Sequence, residues 1–347
     1  YGALSNADFV TRLFLNAVGR NPTAQESSTW VAMLDNNTVT RADVLYAIAE
    51  SPDHLSSVGA EAGQAVTASY QTLYFGANAT ANITGGGNTI YGSGGDILTI
   101  GGNGATGVDN FVDLSNGAAN LSDDSHMDVF GSGNAIHVGK YSNVGIDGDN
   151  NSLTAGSGNG IWVNGGVGNV VNASGDTIFV AANVGVGVIG GGDAIYGQSG
   201  SRIDLAGNGP DGSSNTVNVS NGFVNLADHT RADVHGTSDT IGLGNNDVLS
   251  VAGDGNRITF GAEDRVGATG NSNTFVFHSN FGHDAIDGFN STDSLQFDQS
   301  VFADWAHLLG AAHQSGADTI IAADATNTIT LQNVALSSLN QNQFHFS

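Results

Sequence analysis

"DTIGLGNNDVLSVAGDGNRITFGAEDRVGATGNSNTF" occupies residues 239–275 and repeats one short unit five times. The unit is Asn or Asp, any residue, then an aliphatic residue or Phe: Asp239/Ile241, Asp247/Leu249, Asn256/Ile258, Asp264/Val266 and Asn273/Phe275. Its polar positions alternate between steps of 8 and 9, with glycine-rich turns between them. A half-turn of that length implies a coil of about 17 residues carrying two short strands, the pattern of a parallel β-solenoid. The aliphatic residue points inward, glycine supplies the turns that need positive φ, and stacked coils bury a strip that no single coil buries alone. An antiparallel β-sandwich is the competing fold, but the longer alternating strands it requires are scarce.

The same unit runs back through the chain as Asn215/Val217, Asp193/Ile195, Asp176/Ile178, Asn159/Ile161, Asn151/Leu153, Asn134/Ile136, Asp96/Leu98 and Asn88/Ile90. It becomes irregular near 105–130 and 204–232, where distorted coils or loops are expected. Three segments follow: a helical domain over 1–78, a Gly/Asn-rich solenoid over 79–275, and a C-terminal α+β cap over 276–347. In the first, Phe9, Leu13, Phe14 and Val18 recur at helical spacing after Ser5 or Asn6 as cap. Thr23 with Glu26, and Thr40 with Asp43, have capping-box spacing. A fourth helix is expected over "GQAVTASYQTLYFG" (63–76). In the third, "SVFADWAHLLGAAHQ" (300–314) reads as a helix capped by Ser300, and "ADTIIAADATNTITLQNV" (317–334) as a hairpin.

The 347 residues include 51 Gly, 3 Pro and no Cys, with 33 acidic against 8 basic residues and a formal net charge of −25. Nucleic acid and anionic membrane surfaces are excluded as partners, since so few cations cannot neutralise phosphates. No run is long and apolar enough for a transmembrane helix, so no membrane insertion is expected. The absence of Cys removes disulfides and thiolate chemistry.

One stretch reads as a metal site. "YGSGGDILT" (91–99) nearly reproduces the calcium-binding β-roll nonapeptide Gly-Gly-x-Gly-x-Asp-x-aliphatic-x. Other turns lose the acid: Gly160, Ala135, Val170, Arg257 and Thr106 stand in its place. Calcium needs several hard oxygen ligands. The expectation is therefore an uncharged, hydrogen-bonded stack with a few isolated calcium sites rather than a full ladder. Candidate ligands are Asp96; Asp147 and Asp149 in the EF-hand-like "DGDNNS"; and Asp284, Asp287 and Asp293. The ten His make no zinc pattern, and no nucleophile elbow or phosphate-binding fingerprint occurs. The cluster His137, Lys140, Tyr141 and Asp147 has the residue types a polysaccharide lyase or epimerase needs. One lysine in a −25 chain is poor equipment for an anionic polymer, and Lys140 is read as an exposed turn residue.

The C-terminal stretches "HDAIDGFNSTDSLQFDQSVFADWAHLL", "GADTIIAADATNTITLQNV" and "LNQNQFHFS" resemble the ends of RTX-type proteins exported by type I secretion in Gram-negative bacteria. That resemblance implies an uncleaved C-terminal export signal and an extracellular or cell-surface destination. The first segment, with Gly19-Arg20-Asn21-Pro22, Trp30 and Glu50-Ser51-Pro52, is similar to a small helical domain of unknown function found on such proteins. Together these readings describe a secreted, non-catalytic structural or adhesive protein whose partners are copies of itself or a cell-surface glycan. The alternative is a polysaccharide-active or glycan-binding β-helix.

Overall fold

The computed structural model describes residues 4–18, 20–49, 64–102, 108–208 and 212–347. The chain is mainly β, a parallel β-solenoid of about 17 residues per coil with a few N-terminal helices. It divides into two compact units, residues 1–135 and 136–347.

The first unit opens with helices α1 (Asn6–Ala17), α2 (Ala24–Asp35) and α3 (Arg41–Ala49). Ser5 caps α1 by accepting from the Asp8 N–H at 3.1 Å. Thr23 and Glu26 form the expected capping box on α2, and Thr40 and Asp43 exchange the same pair of bonds at α3. Phe9, Val10, Leu13 and Phe14 of α1 pack with Leu34, Val44 and Ile48 into a small core. Arg20 grips Glu26 through two bonds of 2.9 and 2.8 Å, and with the Thr23 N–H this holds the Glu26 carboxyl at about 2.

The fourth helix is not there. Gln64–Thr67 and Thr72–Tyr74 are strands, each paired in parallel with its equivalent on the next coil, Ala81–Thr84 and Thr89–Tyr91. Val66 and Leu73 lie further inward than their neighbours on alternating positions, and Tyr70 turns the corner between the strands at φ 55°. That period of two and that corner suit a coil better than a helix. The solenoid therefore begins near residue 64 instead of 79. The remaining strands of this unit continue two parallel sheets in the same register, except at one longer coil. There Thr89 pairs with Phe111 and Ile97 with Ala118, each several positions beyond an ordinary coil. The irregularity near 105–130 is thus one longer coil, and strands Asn110–Asp113, Ala118–Leu121 and His126–Phe130 are regular.

In the second unit Asn143, Gly160, Thr177 and Ala194 align coil upon coil. Inward, Val144, Ile161, Ile178, Ile195 and Val217 form a buried column. The irregularity near 204–232 is again one longer coil, in which Ala194 pairs with Thr216. One corner recurs with positive φ at Asn183, Gly200, Asn221, Ser238, Gly255 and Ser272, so the site accepts Asn, Ser or Gly. Two residues earlier in the same corner glycine is demanded: a Cβ on Gly236 would strike the Val219 carbonyl, on Gly253 the Gly236 carbonyl, and on Gly270 the Gly253 carbonyl.

The solenoid runs past residue 275. His283–Asp287 and Ser294–Phe297 form a further, slightly enlarged coil, in which Val266 pairs with Ile286 and Phe275 with Leu295. Phenylalanine fills the wider interior here, with Phe277 stacked on Phe260 at 4.5 Å and on Phe297 at 5.5 Å. Helix α4 (Trp305–Gly310) is shorter than expected. Its cap is Asp304, not Ser300, because Asp304 is extended and accepts the His307 N–H at 3.0 Å. Ala312–Ser315, expected to be helical, pairs antiparallel with Asp318–Ala322, which pairs with Thr328–Gln332 as the expected hairpin. Strand Phe344–Phe346 closes the cap in parallel with Leu295–Phe297.

Candidate functional site

The Asn or Asp of each repeat is buried at the coil corner, two residues before an inward aliphatic. Its Oδ1 accepts the backbone N–H of the equivalent residue one coil earlier. The Ser142, Asn159, Asp176 and Asp193 N–H groups donate to Asn159, Asp176, Asp193 and Asn215 at 2.7–3.0 Å. On the other corner, the N–H groups of Gly222, Asp239, Asn256 and Asn273 donate to Asp239, Asn256, Asn273 and Asp293, each at 2.9 Å. A corner N–H sealed from water needs such a partner, which explains why the position so often holds Asn or Asp, although Ala79, Ser142, Gly222 and Thr230 occupy it in other coils. In several coils Asn adds a second bond, its amide reaching back to a turn carbonyl, as Asn134 does to Leu114 at 2.6 Å and Asn256 to Gly236 at 3.1 Å, whereas the Asn159 and Asn273 Nδ2 atoms are buried without a partner among the described residues.

Asp cannot make that second bond while ionised. The Oδ2 atoms of Asp193, Asp239 and Asp284 are buried without a hydrogen-bond partner among the described residues. Burial pushes Asp193, Asp239 and Asp264 up to about 6 and Asp284 up to about 8, against the backbone bonds that pull the other way. The charge of the preceding ladder aspartate raises three of them further: Asp176 acts on Asp193, Asp247 on Asp264, and Asp264 on Asp284.

The candidate calcium ligands are divided by this arrangement. Asp96 is fully buried, and its two oxygens accept from Ala79 at 2.8 Å and Ser93 at 2.6 Å. Asp293 likewise takes Asn273 at 2.9 Å and Asn290 at 3.0 Å. Asp284 takes Asp264 at 2.7 Å, while Asp287 is exposed at the far end of the same strand. Asp147 is exposed at a strand end, and Asp149 accepts the Val167 N–H at 2.9 Å. Among the described residues no three His, Asp or Glu side chains gather. Asp96, Asp284 and Asp293 face a dry interior and each already accepts a backbone N–H, which leaves few of their oxygens for the oxygen-rich cage calcium takes. The His137, Lys140, Tyr141 and Asp147 set is also spread out. His137 points outward from strand Ala135–Val138 of one sheet, Asp147 ends strand Asn143–Asp147 of the other, and Lys140 and Tyr141 occupy the exposed turn between them.

The outer face carries a feature that the inward motif does not mark. Trp162, Phe179 and Tyr196 occupy one register position on three successive coils. Their rings stack with centroids 5.1 and 5.4 Å apart and planes within 13° and 19°. Trp162 and Tyr196 are 36% and 44% exposed, too much for side chains serving the core. Asn164, Ala181 and Gln198 stand beside the rings, and rings and amides line a shallow groove of about 240 Å³. Glycine makes room for the indole: a Cβ on Gly160 would lie 2.6 Å from the Trp162 ring. The sequence does carry the signal, since the three aromatics at 162, 179 and 196 fall one coil length apart.

Fold and site define a parallel β-solenoid with a sealed polar ladder inside and an aromatic strip outside. The family model described as "Domain of unknown function (DUF4214)" matches residues 1–57. Comparison with curated proteins finds no match. Among solved structures, the chain is similar to the extracellular lipase LipA from Serratia marcescens at 16% identity and a TM-score of 0.23, over 69% of this chain. It spans 45% of the lipase's length.

Proposed function

We propose that the protein is a secreted, non-catalytic β-solenoid that serves a structural or adhesive role in the extracellular matrix or on the surface of a Gram-negative bacterium. The observation that carries this reading is the ladder. The acids of the repeat are spent on holding one coil to the next, which leaves a rigid frame whose outer faces are free for contacts. The C-terminal resemblance to exported RTX-type proteins supports an extracellular destination. A chain without Cys and with a net charge of −25 suits export in an unfolded, self-repelling state. In this reading the coils hold together without a calcium ladder, and the partners are copies of the protein or a surface glycan.

Fractionation of cells producing the full chain, with electron microscopy of the purified protein, tests the proposal. Recovery outside the cell, with assemblies or decorated cell surfaces, is expected. Retention in the cytoplasm, or particles that stay monomeric and never associate with cells, overturns it.

A further inference from the structure

We infer that the Trp162–Phe179–Tyr196 strip is a binding site for a neutral polysaccharide lying along the stacked coils. The inference rests on the adhesive reading above and names the ligand class for it. Three aromatic rings held in register on a parallel sheet present a pre-formed apolar surface, so little side-chain entropy is lost on binding. Sugar rings offer that surface their C–H faces and keep their hydroxyls for polar partners. Those partners stand alongside, since Asn164 and Gln198 are exposed next to the rings and each amide both donates and accepts.

Charge decides which glycan. The groove is lined by neutral side chains, while the chain as a whole carries −25. A polyuronate or sulfated chain is repelled and finds no cation in the groove to hold it, whereas a neutral chain meets no such barrier. The coil repeat sets the rings 5.1 and 5.4 Å apart in a row, so a linear polymer running along the row meets a new ring at each step.

The strip is kept clear at a cost elsewhere. Gly160 sits within a strand, where glycine is weakening, and its lack of a Cβ lets the indole lie against the sheet. Gly160 is thus a positioning residue for Trp162.

Pull-down of the full-length protein on insoluble cellulose and chitin, with alginate and polygalacturonate as anionic controls, tests the site. Titration of tryptophan fluorescence with neutral oligosaccharides of the same two types gives affinities. Binding to at least one neutral polymer and to neither anionic one is expected. Trp162→Ala should weaken that binding roughly tenfold or more, and Gly160→Ala should weaken it with all three rings still present, both at unchanged circular dichroism. The inference is overturned if neither neutral polymer binds, if the anionic polymers bind as well, or if Trp162→Ala binds like wild type. It is also overturned if Trp162→Ala changes only the oligomeric state, which would make the strip a contact between copies. If the inference fails while the protein still decorates cells, the adhesive reading stands; loss of both removes that reading too.

Discussion

Replacing Asp239 by Asn should stabilise the solenoid at neutral pH and leave it nearly unchanged in acid. Asp239 is 1% exposed, and burial raises its carboxyl from 3.8 to about 6. The folded state therefore holds a proton that the unfolded chain has released between about pH 4 and pH 6, so stability falls as pH rises through that window. At about 1.4 kcal/mol per unit, the loss from this one carboxyl is about 3 kcal/mol by pH 7. The substituted amide would keep an Oδ1 to accept the Gly222 N–H, a bond of 2.9 Å in the parent. Its NH₂ group would face the Val219 carbonyl, because that oxygen and Asp239 Oδ2 both border the space beside Gly236. The equivalent Asn256 already makes this bond to Gly236, at 3.1 Å. The assay is denaturant unfolding followed by circular dichroism near pH 4 and near pH 7.5 for both proteins. The variant should gain about 3 kcal/mol at the higher pH and close to none at the lower. An equal difference at the two pH values, or a loss at neutral pH, would refute the buried-charge reasoning.

Gly253→Ala should cost about 1–3 kcal/mol, because its φ is 142° and a Cβ there strikes the Gly236 carbonyl. Gly255→Asn should leave the denaturation midpoint close to wild type, since Asn221 holds the equivalent corner at φ 56°. Ile178→Ala, in the middle of a buried column, should lower unfolding free energy by about 2–5 kcal/mol. Melting in EGTA and in millimolar calcium should give superimposable curves for the coils; β signal that forms only with calcium would contradict the hydrogen-bonded ladder. Incubation with alginate and pectin should release no unsaturated sugar; release that disappears in Lys140→Ala would favour the lyase reading.

The fold is legible in the sequence because its unit is short and chemically strict. An aliphatic two residues after a corner Asn or Asp marks nearly every coil, and the helix caps at Ser5, Thr23 and Thr40 are equally plain. The first coil is not legible. Its corner holds Ala68 to Tyr70 and Gln71 rather than Asn or Asp, and "AVTASYQTLYF" has enough apolar residues to mimic a helix. Likewise Asp304 outcompetes Ser300 as a cap, a choice made by backbone geometry that spacing does not encode. The acids are the hardest to read. Asp96 sits where a calcium ligand would in the nonapeptide pattern and Asp293 precedes an aliphatic in the same way, yet sequence does not say whether a carboxylate meets an ion or a backbone N–H. The aromatic strip escapes notice for a different reason: it shares the coil period but occupies outward positions, which a motif built on buried residues does not follow.

The ladder is one-way. Along each buried Asn/Asp column the later coil supplies the side chain and the earlier coil the N–H, and the Asn amide, where it bonds, reaches back too; the exposed turn carboxylates run the other way, as Asp149 takes the Val167 N–H and Asp254 the Asn271 N–H. Within the column each coil is thus completed by its successor. For this buried column, cutting coils away from the N-terminal side leaves spare side-chain acceptors, which water satisfies readily. Cutting from the C-terminal side strips the last corner of its lid and bares an N–H at the end of the core. The buried column thus has a finished end and a dependent end, and assembly that begins at the C-terminal coils never leaves one of its N–H groups open.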